Sequence, residues 1–526
     1  MAASSRSRRL LKLGLSTAAV GTLGGGYAHV KDTPWWSSLP PVRFGRAAIA
    51  VLLASADYKW SLRNLEYGTD EYRSTMKEVH QRSALRLRRM CSLNGGLFVK
   101  VGQHIASLDY LLPREYVSTF KVFHSSAPST PLLRLKRVIF EEFGVPAEEL
   151  FSELGEQLGV ASLAQCHRGV LHDGRVVAVK IQHPDVRKNG YTDMSVIDLL
   201  VSGVSFVFPN FHFQWLAREV RANLPNELDF QQEARNQEKF SAMFKHLTFI
   251  KAPRVYWRYT STRVLTMEFC DGGKLDDLDY IEKHQLPVDE ISHKLGRMYS
   301  EMIFVTGYIH CDPHPGNVLV RRRRLSRRER REGRGREGEV EIVLLDHGLY
   351  TVLTEEFRMK YCRLWQALIN KDLEAVRKYS EQLNAGQLYR LLASMICARA
   401  WDSIASGIDQ APMSQNELKR IRTNALMYLS EITQLLDTVP RQLVLILKTN
   451  DLLRSADHVL RASNHKQSLL TMSKCCLRAI GDHDIQRCSW WVGRVYVRLR
   501  TGWSVLMVSI YELWLNTARA LGMAAL

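Results

Sequence analysis

Residues 307–349 read GYIHCDPHPGNVLV, then a basic run, then EIVLLDHGL. Phosphoryl transfer needs a group that orients the attacking hydroxyl and takes its proton. It also needs hard oxygen ligands for Mg²⁺ beside the phosphates. An H-x-D-x-x-x-x-N loop supplies both, and His310, Asp312 and Asn317 fit that spacing. A second carboxylate must then reach the metal from the end of a strand. Residues 342–345 (IVLL) form a short apolar run of strand type, closed by Asp346-His347-Gly348. The pattern assigns Asp312 as the hydroxyl-orienting base and Asn317 and Asp346 as metal ligands. Asp-Pro-His-Pro-Gly-Asn by itself is a run of turn formers. The second half, in register with it, turns the reading toward phosphoryl chemistry.

The chain has 526 residues, room for two to four domains or one large fold with extensions. Basic residues outnumber acidic ones 72 to 54, a formal +18. Residues 321–339 hold ten Arg and four Glu, so +12 remains elsewhere. Such an excess suits anionic membranes or phosphorylated ligands. Nucleic acid is not an expected partner, because no Cys/His finger spacing and no aromatic RNP pattern occurs. The nine Cys include one adjacent pair, Cys475-Cys476, and no C-x-x-C, which fits structural thiols in a reducing compartment.

Residues 1–31 carry Arg6, Arg8, Arg9, Lys12 and Lys31 with no acid before Asp32. That composition predicts mitochondrial import, with a secretory signal as the alternative. Residues 13–30 are apolar but glycine-rich, a weak membrane span. Residues 43–152 read as helical. Within them Lys100 and Gln103 are three apart and share a helix face, and Gly102 allows close backbone approach. By itself this is a solvated face with a packing glycine. The period changes near Gly159. Two β-type runs joined through Asp173-Gly174 read as a hairpin ending in V-A-V-K at Lys180. A kinase has a glycine-rich loop over the phosphates and then a strand lysine that holds them. Here the loop carries Ala161, Ser162 and Ala164, which stiffens it. Lys180 needs a carboxylate partner, and residues 226–236 offer Glu227, Asp229 and Glu233; the 53-residue gap from Lys180 to Glu233 implies an inserted helical stretch, residues 185–215. Glu227 and Asp229 read as an acidic helix start. Residues 264–269 read as a strand leading to a hinge, with Met267, Glu268 and Cys270 facing a nucleotide base. The basic insertion 321–339 is expected to be a disordered hairpin tip. Thr354-Glu355-Glu356 reads as a helix cap and first turn, with no long activation segment before it. Helices are expected at 374–383 and 421–436. Residues 494–521 read as an amphipathic segment, either attached to an interface or packed on the helical lobe.

These motifs, in this order, resemble the UbiB or aarF-domain family of atypical protein-kinase-like proteins over roughly residues 45–475. Glu233 matches that family's lysine-pairing glutamate. Lys100-Val101-Gly102-Gln103 matches its K-x-G-Q motif, and Glu227 and Asp229 match its E-x-D motif. Both readings then change from solvated or capping residues to regulatory ones. The resemblance implies an α+β fold, a two-lobe kinase-like body with a helical K-x-G-Q extension. The expected layout is a targeting segment at 1–35, the extension at 36–155, an N-lobe at 156–273 and a mainly helical C-lobe at 274–475. A C-terminal segment, 476–526, follows. The resemblance further implies ATP or ADP with Mg²⁺ as cofactors and restrained ordinary kinase activity. It implies a role in mitochondrial inner-membrane, lipid or coenzyme Q homeostasis. The implied partners are a lipid or other small-molecule substrate, an anionic membrane and mitochondrial membrane proteins. A scaffold with a nucleotide-switch pocket is the alternative. Departures from the family's pattern are Cys311 beside Asp312, Val160 and Cys166 around the loop, and the arginine insertion.

Overall fold

The computed structural model describes residues 39–106, 112–125, 129–209, 214–312, 314–325, 327–333, 335–406, 429–460 and 465–520. The import segment and the start of the helix expected at 421–436 lie outside the described residues.

A four-stranded antiparallel sheet, in the order β1-β2-β3-β5, forms the upper lobe. Its strands are β1 (Glu153–Val160), β2 (Ala164–Val170), β3 (Val176–Gln182) and β5 (Val264–Glu268). The Asp-Gly turn closes the β2–β3 hairpin. Gly174 adopts φ +84° and the Leu171 carbonyl accepts its N–H, while Asp173 caps the Arg175 amide. Helix α4 (Leu132–Phe143) covers one sheet face. Its Leu135, Val138 and Ile139, at i, i+3 and i+4, meet Val177, Val179 and Ile181, which alternate along β3.

Above this lobe sits a helical body of α1 (Pro40–Ser61), α2 (Asp70–Asn94) and α3 (Gly96–Ala106). The inserted helices α5 (Pro184–Val207) and α6 (Gln214–Glu227) join the same core, through Val186, Ile197, Val220 and Leu224 against Leu97 and Phe98. Arg43 of α1 grips the buried Asp193 of α5 with two hydrogen bonds. The gap between Lys180 and Glu233 thus has a packing cause: the insertion is the seat of the N-terminal extension. Asp229 then caps α7 (Phe230–Met243) by accepting from the Gln231 amide.

The lower lobe holds a second sheet, in the order β4-β9-β8-β6. Its strands are β4 (Ile250–Lys251), β6 (Gly273–Lys274), β8 (Val318–Arg322) and β9 (Val340–Leu344). A small pair, β7 (Tyr308–His310) with β10 (Tyr350–Val352), lies beside it. Helices α8 (Val288–Ser300), α9 (Glu355–Asn370), α10 (Arg441–Leu460) and α11 (His465–Arg487) enclose a core containing Tyr299, Phe304, Tyr361 and Trp365. Thr354 caps α9 as expected, with Glu355 and Glu356 in the first turn.

The arginine insertion corrects one expectation. Its near end is ordered by carboxylates on and beside β9. Arg321 pairs with Glu341 at 2.7 Å and with Asp271, while buried Arg323 pairs with Glu339 at 3.0 Å. Residues 327–332 form a short helix. The first strand also begins at Glu153, ahead of the expected lobe start at 156, because its polar sequence ELGEQLGV is mostly exposed and hides its period. The last described helix is α12 (Trp491–Ala520), laid antiparallel on α11, with Thr501 against Gly481 and Glu512 against Lys474. Among the described residues no helix is long and apolar enough to cross a membrane.

Candidate active site

Lys180, on β3, donates to both carboxylate oxygens of Glu233, at 2.7 and 2.9 Å, and to Asp346 at 3.2 Å. Glu233 lies on the buried face of α7 with Phe230, Ala234, Gln237 and Phe240. One ammonium between two carboxylates leaves a surplus negative charge. Burial, and then repulsion from Asp346, raise Glu233 to about 7 against the pull of Lys180. Asp346 lies at about 2, because Lys180, the Gly348 amide and Lys100 outweigh its burial. Its carboxylate remains about a third exposed, so it can take a further ligand.

Between Asp346 and Gly348 stands His347, where a kinase carries Phe. The ring is buried, and burial pushes it down to about 3, so it is neutral. Nε2 donates to the Leu344 carbonyl at 3.0 Å, and Nδ1 accepts from the Tyr350 hydroxyl at 2.8 Å. It stacks on Tyr350 and packs on Phe240, so this imidazole fills an aromatic slot. Asn236 ties the two elements together. Its amide donates to the His347 carbonyl at 3.0 Å and its oxygen accepts from Tyr308.

Asp312 follows β7. Burial opposes its charge, but Lys448 and Lys100, with His314 and His310, hold it well below the usual carboxylate range. A carboxylate this acidic orients a hydroxyl better than it accepts the proton. Asn317 turns its amide nitrogen toward the Asp312 carbonyl and carboxylate, at 3.4 and 3.5 Å, which leaves the side-chain oxygen as the ligand atom. Asn317 and Asp346 are hard donors suited to Mg²⁺ shared with phosphate oxygens. Among the described residues no cluster of three His, Cys, Asp or Glu forms an all-protein cage.

The K-x-G-Q segment is α3. Lys100 pairs with Glu227 at 3.1 Å. Burial disfavours its charge, but Glu227, Asp312 and Asp346 together raise its pKa. Glu227 ends α6 and Asp229 begins α7, so the expected acidic helix start holds for Asp229 alone. Gly102 is required by packing: a Cβ there would stand 2.6 Å from the Phe123 ring and 3.0 Å from Phe120. Gln103 donates to the Phe123 carbonyl at 2.9 Å and accepts from Ser162 at 3.1 Å. The helix therefore clamps the alanine-rich loop.

Other expected site residues fall differently. Ser162 is buried against α3, and Ala161 is held by hydrogen bonds to Ala164 and His183. Ala164 opens β2 inside a cluster with Phe230 and Leu265, so its methyl serves the core, not the pocket. Met267 is buried on β5. The Glu268 amide donates to the Arg254 carbonyl and its carboxylate pairs with Lys251, so only its backbone carbonyl is left to meet a nucleotide base. The Cys270 thiol packs on Leu319 and Val343, and burial raises it to about 11.

One residue escaped the sequence reading. Lys448 of α10 reaches within 3.8 Å of the Asp312 carboxylate with its side chain 10% exposed. Its cue is a lone charge inside LVLILKT, residues 443–449, since a buried ammonium needs a counter-charge.

A family described as the ABC1 atypical kinase-like domain matches residues 122–380. The chain is 47% identical to AarF domain-containing protein kinase 1 of Mus musculus, over 98% of this chain and 97% of that protein. It is 40% identical to AarF domain-containing kinase 1 of Drosophila melanogaster, over 97% of each. Among solved structures, the Mycobacterium tuberculosis protein Rv3197, in complex with erythromycin, aligns at TM-score 0.42 and 20% identity. That alignment covers 71% of this chain and 97% of the solved one.

Proposed function

This chain belongs to the ABC1 atypical kinase-like family, and from that premise we propose that it binds Mg²⁺-nucleotide and acts as a phosphotransferase or ATPase on a lipid or other small molecule. The observation that carries this reading is the convergence of Lys180, Glu233 and Asp346 in one contact, with Asp312 and Asn317 on the adjoining loop. Lys180 holds phosphate and Glu233 orients it. Asn317 and Asp346 hold the cation, and Asp312 orients the hydroxyl. Bound Mg²⁺ supplies positive charge to the phosphate oxygens. Lys448 and Lys100 keep Asp312 ionised from two sides.

The α3 clamp and the six residues between Gly348 and α9 support a non-protein acceptor, because neither leaves an obvious platform for a peptide. Strong labelling of a protein substrate that depends on Asp312 refutes this. Mg²⁺-dependent thermal stabilisation by ATP tests the binding itself. The setting we propose is the mitochondrial inner membrane, in lipid or coenzyme Q homeostasis. The acid-free basic N-terminus supports it, and carbonate extraction of isolated mitochondria tests it. A second reading has its own support. Lys180 bonded to Asp346, with Ser162 held by Gln103, is a restrained arrangement that suits a nucleotide-responsive scaffold.

A further inference from the structure

Helix α12 is built inside out. Its contact with α11 uses small and β-branched residues: Val497, Thr501, Ser504, Val505 and Val508 are less exposed positions on one side. The approach is close, since a Cβ on Gly481 of α11 would stand 2.4 Å from the Thr501 hydroxyl. The bulky apolar residues face the other way. Trp491, Leu499 and Trp503 are 76%, 69% and 65% exposed, and Val495, Ile510 and Trp514 continue the stripe. At 100° per residue these side chains fall within about half the helix circumference, opposite the packed face. A helix that served only the core would be reversed, with large residues inward.

The charges say what covers this face. Arg498 and Arg500 lie at its two edges, and both are exposed. The helix carries four Arg, and its one carboxylate, Glu512, is turned inward to Lys474 of α11. Trp at several points along the helix, an apolar sector and flanking arginines together match the boundary of an anionic lipid layer, where indole rings and guanidinium groups both find partners. A second copy of the same face would set arginine edges against arginine edges, an unfavourable pairing. No described helix spans a membrane, which leaves in-plane seating as the mode for this one.

We infer that the outward face of α12 is a docking surface for an anionic membrane, lying in the plane of the headgroups. This deepens the membrane part of the proposed function and does not rest on the phosphotransfer part.

The test is flotation of the full chain with vesicles of phosphatidylcholine alone or with cardiolipin. Wild type is expected to float with the cardiolipin vesicles and much less with the neutral ones. The variant Trp491→Ser/Leu499→Ser/Trp503→Ser/Ile510→Ser should lose at least about tenfold in partitioning. Arg498→Gln/Arg500→Gln should lose about fivefold per arginine. Melting temperature and nucleotide-induced stabilisation should be unchanged in both, because every altered residue is exposed and remote from Lys180. Undiminished flotation of the serine variant overturns the inference. So does loss of flotation on deleting residues 1–38 alone, which would assign binding to the N-terminal segment. A wild-type dimer that the serine variant makes monomeric, with no flotation of either, also overturns it. Failure of nucleotide binding alone, with flotation intact, strikes the phosphotransfer reading and leaves this one standing.

Discussion

Asp346→Asn separates what the site does from what holds the fold. The amide keeps the shape and can still accept from the Gly348 amide, now 2.9 Å from Asp346. It removes the carboxylate charge that the cation needs. With Mg²⁺-ATP at a hundred times its dissociation constant, binding stabilises the wild type by about 2.7 kcal/mol. At about 2–4 °C per kcal/mol for a large domain, that is a melting shift of about 5–10 °C. The variant should shift by no more than ~1 °C. Without ligand, two effects oppose each other. Glu233 loses a repelling neighbour. Its rise from 4.5 to about 7 is worth at most ~3 kcal/mol, and burial, the larger cause, accounts for most of that. Asp346 in turn loses its attraction to Lys180, discounted because the carboxylate is a third exposed. The unliganded melting temperature should therefore move by less than ~4 °C. The pH dependence is sharper. A raised folded-state pKa gives stability that is full below about 4.5 and lost as pH rises through about 7. In metal-free protein the fall in stability from pH 5 to 8 should flatten in the variant. Differential scanning fluorimetry with EDTA, Mg²⁺, and Mg²⁺-ATP reads all three quantities. An equal nucleotide shift in Asp346→Asn would refute the assignment of the cation site.

Lys448→Gln should weaken binding of a non-hydrolysable ATP analogue about tenfold, with ADP affinity changed less than about twofold, if the ammonium faces the transferring phosphoryl group. Calorimetric titration decides this, and equal losses for both ligands would make Lys448 a structural residue only. Gly102→Ala gains about 1 kcal/mol of helix propensity but meets Phe123 at 2.6 Å, an overpacking cost of about 1–3 kcal/mol. The net expectation is a melting temperature a few degrees lower and faster hydrogen exchange at residues 161–164. Unchanged melting and protection would contradict the clamp.

Much of this site could be read from residues because its signals are local. The V-A-V-K strand, the Asp-Gly turn, the Thr354 cap and the Asp312/Asn317 spacing each depend on a few neighbouring positions, and chain order links them. The Lys180–Glu233 pair is not local in this way: three carboxylates were open to Lys180, and the resemblance, not the residues, singles out Glu233. What escaped depends on distant partners. Lys448 meets Asp312 only through the packing of α10, and Gln103 meets Ser162 only through the seating of α3. Arg321 and Arg323 looked like part of a disordered tip because their counter-charges, Glu341 and Glu339, lie across a hairpin. That the Glu268 amide and carboxylate are taken by Arg254 and Lys251 was equally hidden, because those partners come from a neighbouring segment. The orientation of α12 needed the fold, since periodicity shows an apolar face but not which face packs.

The central claim is that this pocket performs phosphoryl chemistry and is not only a nucleotide-sensing scaffold. It is tested most directly by complementation with Asp312→Ala in cells lacking the endogenous protein. Asp312 contacts Asn317 and lies near Lys448, but its side chain is outside the apolar core, so protein level can be matched and verified. The account predicts that wild type restores function and Asp312→Ala, at equal abundance and with nucleotide binding retained, does not. Full rescue by Asp312→Ala would contradict it and favour the scaffold.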